Sequence, residues 1–93
     1  MSEIVERLAS LNHEQPVRLH IGDVSVEGRL RGRLVTSTLL LVTVSERDSD
    51  RQFVIQTKHE DGWLGPHVDA YDGSSSRQGY QPLGTLRDLK PLG

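Results

Sequence analysis

Val24-Ser25-Val26-Glu27-Gly28-Arg29-Leu30-Arg31-Gly32-Arg33-Leu34 runs through Val35-Thr36-Ser37-Thr38 into Leu39-Leu40-Leu41-Val42-Thr43-Val44 and reads as one long β-hairpin. In the first arm Val24, Val26, Leu30 and Leu34 share one parity, with Gly28 and Gly32 in its gaps. Ser25, Glu27, Arg29, Arg31 and Arg33 share the other. Successive strand side chains point to opposite faces, so this alternation over eleven residues predicts an apolar inner face and a charged outer one. A helix would scatter the arginines around its axis. Glycines in mid-strand mark bends or bulges, and two of them predict a strand that wraps a barrel corner.

Upstream of the hairpin, Val17-Arg18-Leu19-His20-Ile21 alternates in the same way, and Gly22-Asp23 supplies the turn into the long arm. Residues 2–12 predict a short amphipathic helix: Ile4, Leu8 and Leu11 form a stripe with Val5 beside it, and Glu3, Glu6, Arg7 and Ser10 face elsewhere. Ser2 is its expected N-cap and Asn12 its stop, with Pro16 opposing continuation. Such a helix is too short to persist alone in water and must pack on the sheet. Downstream, Ser45 to Arg51 is a polar turn and Gln52 to Thr57 the next strand, with Phe53 and Ile55 inward. Residues 59–82 read as a loop-rich extension holding a fifth short strand at Val68–Tyr71, and residues 83–89 as the closing strand. The expected fold class is therefore mainly β (α+β). A short N-terminal helix is followed by a strongly bent antiparallel sheet or small barrel of five to six strands, in one domain over residues 1–93 with core strands in 17–58.

Ninety-three residues bury a modest core. Only 34% of them are hydrophobic, and the aromatics are Phe53, Trp63, Tyr71 and Tyr80, so Val, Leu and Ile must build most of that core. The absence of cysteine excludes a disulfide framework and thiolate metal ligation. The N-terminus has no apolar signal core, and the run Leu39–Val42 is too short to span a bilayer, so a cytoplasmic protein without a membrane partner is expected. A net charge of −2 gives no global attraction to nucleic acid. Its distribution is uneven: residues 17–34 hold Arg18, Arg29, Arg31 and Arg33 against Asp23 and Glu27, whereas residues 45–72 are acidic.

The pattern Val17-x-Leu19-x-Ile21-Gly22, then Gly28-x-Leu30, then Leu39-x-Leu41, behind a short helix, resembles the Sm-like and SH3-like small barrels over roughly residues 4–57. The resemblance implies a bent barrel of that architecture. The Sm family reads RNA through an Asp and an Asn in the loop after its second strand and through a later Arg-Gly pair. Here Leu34 and Thr38 stand where that Asp and Asn are expected, and the Arg-Gly pair, Arg31-Gly32, lies in the second strand. The family's RNA-binding residues therefore do not carry over.

Arg29, Arg31 and Arg33, at intervals of ~6.7 Å on one strand face, form a row able to track phosphates. With Arg18 they are the candidate nucleic-acid contacts, or contacts to an acidic protein surface. A solvated strand face paired to its own acids is the structural alternative. No aromatics interleave with the row, so the stacking signature of single-strand binders is missing. Trp63, in the Gly- and Pro-bounded stretch Trp63-Leu64-Gly65-Pro66-His67, is either a lid on the core or an anchor for a partner; Tyr71 and Tyr80 are further candidate partner contacts.

His13, His20, His59 and His67 lack metal-ligand spacing with one another, so no metal and no cofactor is assigned. Phosphate-cradling glycine motifs and a GxSxG elbow are absent, and Ser74-Ser75-Ser76 is a polar run without a positioned base, so no catalytic residue is assigned. The expected function is a non-enzymatic binding module contacting nucleic acid through the arginine row. The alternative is a protein-interaction or homo-oligomerisation module using Trp63, an open sheet edge or the helix stripe.

Overall fold

In the computed structural model, which describes residues 3–63, 65–72 and 81–92, the hairpin forms as β2 (Val24–Val35) and β3 (Leu39–Glu46). Around it stand α1 (Glu3–Ser10), β1 (Pro16–Ile21), β4 (Arg51–Lys58), β5 (His67–Asp72) and β6 (Gln81–Pro91). Each strand pairs antiparallel with the next and β6 returns to β1, which closes the sheet into a six-stranded barrel. The fold class expected from the sequence is thus observed. Within residues 59–82 the fifth strand expected at Val68–Tyr71 forms as β5, and the closing strand, expected over residues 83–89, starts earlier, at Gln81. Ser2, the expected N-cap, Ser74–Ser76 and Tyr80 fall outside the described residues, as does Leu64.

Two long strands turn the barrel corners by serving two neighbours each. Along β2, residues Val24–Arg29 pair with β1 and Gly28–Val35 with β3. Gly28 sits at the transfer, opposite Val17 on one side and Glu46 on the other. A Cβ there would lie 2.1 Å from the Ser45 carbonyl oxygen and 2.8 Å from Val44 Cγ1, so the strands approach this closely only at glycine. β6 makes the matching transfer, from β5 over Gln81–Thr85 to β1 over Leu86–Pro91. Gly84, at φ +123°, lies next to that change of partner.

A bulge in β2 overturns part of the expected alternation. The register steps from Leu30 opposite Val44 to Gly32 opposite Thr43, which leaves Arg31 as an extra residue. One inserted residue sends every later side chain to the other face. Arg33 and Val35 therefore stand opposite the inward-facing Val42 and Leu40, and Leu34 opposite the outward-facing Leu41. Leu34, expected inside, is 52% exposed. Val24, beside the β1–β2 turn, is also exposed, against the expectation.

Inside, Val17, Leu19, Leu30, Val42, Val44, Phe53, Ile55, Val68, Leu86 and Leu89 pack with Leu40 and Ala70 into one buried cluster. A closed barrel can be entered only at its ends, and α1 covers one of them with Val5 and Leu8, joined by Leu11 just beyond the helix. Arg7 fixes the helix to β6: its Nη1 donates to Asp88 Oδ1 at 2.8 Å and to the Leu89 carbonyl at 3.0 Å. Glu3, one turn back, accepts from Arg7 Nη2 at 2.6 Å. The helix stripe is thus consumed within the chain.

Candidate functional site

Of the four candidate arginines, Arg29 and Arg31 line one outer groove with Glu27, the partner of Arg18, and Arg33 lies apart from it. Arg18, on the outer face of β1, stands opposite Glu27, and its Nε and Nη2 both donate to Glu27 Oε2, at 3.0 and 2.7 Å. Arg47 Nη1 approaches the other oxygen at 3.6 Å. The Arg18 hydrogen bond, then its charge, hold the Glu27 carboxyl below its ordinary value. Arg29 points outward between Pro16 and Ser45 and has no hydrogen-bond or ion-pair partner among the described residues. Arg31, at the bulge, donates through Nε to Ser45 Oγ at 3.0 Å and through Nη1 to Glu14 Oε1 at 2.5 Å.

Arg33 does not belong to that surface. Having crossed to the inner parity, it donates through Nη1 to the main-chain carbonyls of Leu11 and, at 3.4 Å, Leu8. Leu8 lies in the last turn of α1 and Leu11 just past its end, at the negative end of the helix dipole, so Arg33 serves as a helix cap. The expected row of three guanidinia is therefore broken by the bulge. What remains outside is a groove of about 520 Å³ lined by Arg29, Arg31 and Arg47 together with Glu27, Glu46 and Asp48. Three carboxylates among three guanidinia make a mixed field, with Arg29 its one unneutralised cation among the described residues.

The aromatic candidates also part company. Trp63 is partly buried against the core and meets the His59 ring edge-on at 5.1 Å between centroids. Tyr71, 40% exposed, lies near the far end of β5, opposite Gln52. Tyr80 lies outside the described residues. The histidines find separate partners: His13 approaches Glu14 at 3.5 Å, His20 meets Ser25 Oγ at 3.2 Å, and His67 Nε2 meets the buried Asp69 at 2.9 Å. The last pair sits at i,i+2 on one strand face, a spacing legible in the sequence but not singled out there. Among the described residues no cluster of three or more His or carboxylate groups could hold a metal, and no helix is long and apolar enough to cross a membrane.

Closure removes most open sheet edge among the described residues, and a stretch of β2 remains. Thr36 N–H donates to the Leu39 carbonyl at 2.8 Å and closes the hairpin. By the alternation of an antiparallel ladder, Leu34 and Leu41 then form a bonded pair, and the main-chain groups of Arg33 and Val35 point away from β3. On that side β1 reaches only as far as Pro16, opposite Arg29. Glu14 N–H and the Gln15 carbonyl extend the cover to Leu30, at 2.9 and 3.0 Å. Beyond Leu30 the edge has no main-chain partner among the described residues, and it carries Leu34 and Val35, both about half exposed. No protein-family model, no curated protein and no solved structure matches this chain.

Proposed function

We propose that this protein is a non-enzymatic interaction module that receives an extended protein strand along the free edge of β2. The observation that carries this reading is the main chain of Arg33 and Val35, unpaired among the described residues on either side of exposed Leu34, on an otherwise closed barrel. Edge addition draws affinity from main-chain hydrogen bonds and selectivity from alternate side chains, which suits such an edge. A kinship with Sm-like and SH3-like binding barrels belongs to the same reading, supported by the helix, the bent glycine strand and the closed architecture. Selection of displayed random peptides on the folded protein tests it. Binders should shift the amides of residues 32–36 and lose affinity for Leu34→Asp; a library that yields no binder at this edge rejects the reading.

The groove around Arg29 supports a second reading, contact with nucleic acid. Its test is a salt titration of DNA and RNA binding. Arg29→Ala should reduce the log–log salt slope by about 1, as for one lost phosphate contact, while Arg33→Ala leaves the slope unchanged. Equal slopes in wild type and Arg29→Ala reject it.

A further inference from the structure

We infer that the strand received at the β2 edge is the same edge of a second copy of this chain, in a two-fold pairing centred on Leu34. The inference rests on the edge-addition reading and names its partner. Among the described residues, the main-chain groups of this edge free to bond are those of Arg33 and Val35. An antiparallel two-fold that uses both sets Arg33 against Val35 of the other copy, twice, and Leu34 against itself. Centring it on Arg33 would instead oppose two guanidinia, which like-charge repulsion disfavours. The register about Leu34 thus satisfies the main chain and avoids the charge clash. It is also isologous, so it closes at two subunits.

In that register Leu34 is a non-hydrogen-bonded pair, the closer of the two kinds, with Cα atoms ~4.5 Å apart. Leu41 flanks it across β2–β3, so a stripe of four leucines crosses the outer face of the joined sheets. On the opposite face the stem of Arg33 lies over Val35 while its guanidinium keeps its bonds to α1. Glu14 and Gln15 occupy the edge at Leu30 and stop the pairing there. The overlap is therefore limited to residues 32–36 of each chain. Such an interface is smaller than the roughly 1,200–2,000 Å² of a standard one, so the dimer is weak and exchanges readily.

The sequence has no cysteine, which makes single-thiol crosslinking a clean test. In a glutathione redox buffer, Leu34→Cys should form covalent dimer ~10-fold faster than Val24→Cys, an equally exposed site at the far end of β2, because the pairing raises the local thiol concentration. Wild-type average mass should rise with concentration in sedimentation, and Leu34→Asp should stay monomeric while keeping the wild-type melting transition. If Leu34→Asp fails to fold, Leu34→Ser replaces it, with the same expectation. Equal crosslinking rates, or a wild-type monomer up to ~1 mM, overturn the inference. A monomer that still selects strand peptides at this edge overturns only the second-copy partner; failure of both removes the edge reading as well.

Discussion

The guanidinium of Arg33 on β2 donates to the main-chain carbonyl of Leu11, just past the end of α1, and so ties the hairpin to the helix that closes the barrel. The neighbouring Leu8 carbonyl accepts from the same nitrogen at 3.4 Å. One side chain thereby satisfies acceptors that a helix end leaves open.

Removing this cap should loosen the helix without touching the sheet. Arg33→Ala is expected to lower stability by about 1 kcal/mol, below the 1.5–3 of a desolvated charged hydrogen bond because the side chain remains partly in water. Arg33→Lys should restore part of the loss. Urea denaturation gives the magnitude, and amide exchange should rise first in residues 5–11. Unchanged exchange there would refute the capping role.

Leu8 carries the plug itself, being fully buried in the common core. Leu8→Ala should cost about 3 kcal/mol, within the 2–5 usual for a buried leucine, since the barrel mouth cannot collapse around the lost volume. Chemical denaturation monitored by Trp63 fluorescence would measure it.

The two strand glycines should respond in opposite ways. Gly28→Ala drives a methyl into the Ser45 carbonyl and Val44, and is expected to cost at least about 2 kcal/mol or prevent folding. At Gly32 nothing lies within 4 Å of the added Cβ. Gly32→Ala should therefore be neutral or stabilising, up to about 0.5–1 kcal/mol, by restricting the unfolded chain. Paired thermal melts decide it, and equal losses would contradict the assignment of Gly28 as the corner.

Acid should weaken the fold through two carboxylates. Glu27 is held below its ordinary 4.5 chiefly by the Arg18 hydrogen bond. Asp88 is held below 3.8 chiefly by the Leu89 main-chain N–H, then by Arg7. Both values are depressed on folding, so the unfolded chain binds protons first as pH falls. Their stabilisation is complete above the ordinary values and is lost as pH drops through the lower folded values, below about 4. In Glu27→Gln the denaturation midpoint should vary less with pH across that range. An identical profile in the variant would show that Glu27 contributes nothing there.

Much of the fold was legible because it depends on local patterns. Period-two alternation located the hairpin, β1 and β4, and the stripe Ile4, Val5, Leu8 and Leu11 located the helix, since burial on one face imposes those spacings. Gly28 and Gly32 marked a corner and a bulge for the same reason. The surface chemistry was not legible. Whether Arg29, Arg31 and Arg33 share a face depends on the single inserted residue at Arg31, which shows only in the register of β2 against β3. That offset, an outcome of closing the sheet, sent Arg33 to the helix and Leu34 to solvent. Partners distant in sequence, Glu14 for Arg31 and Leu11 for Arg33, were likewise chosen by packing. Local spacing of apolar and polar residues dictates which segments become strands and which faces seek burial. Which charges find partners within the chain and which edge stays open depend on long-range register, and that register is set by the whole closed barrel.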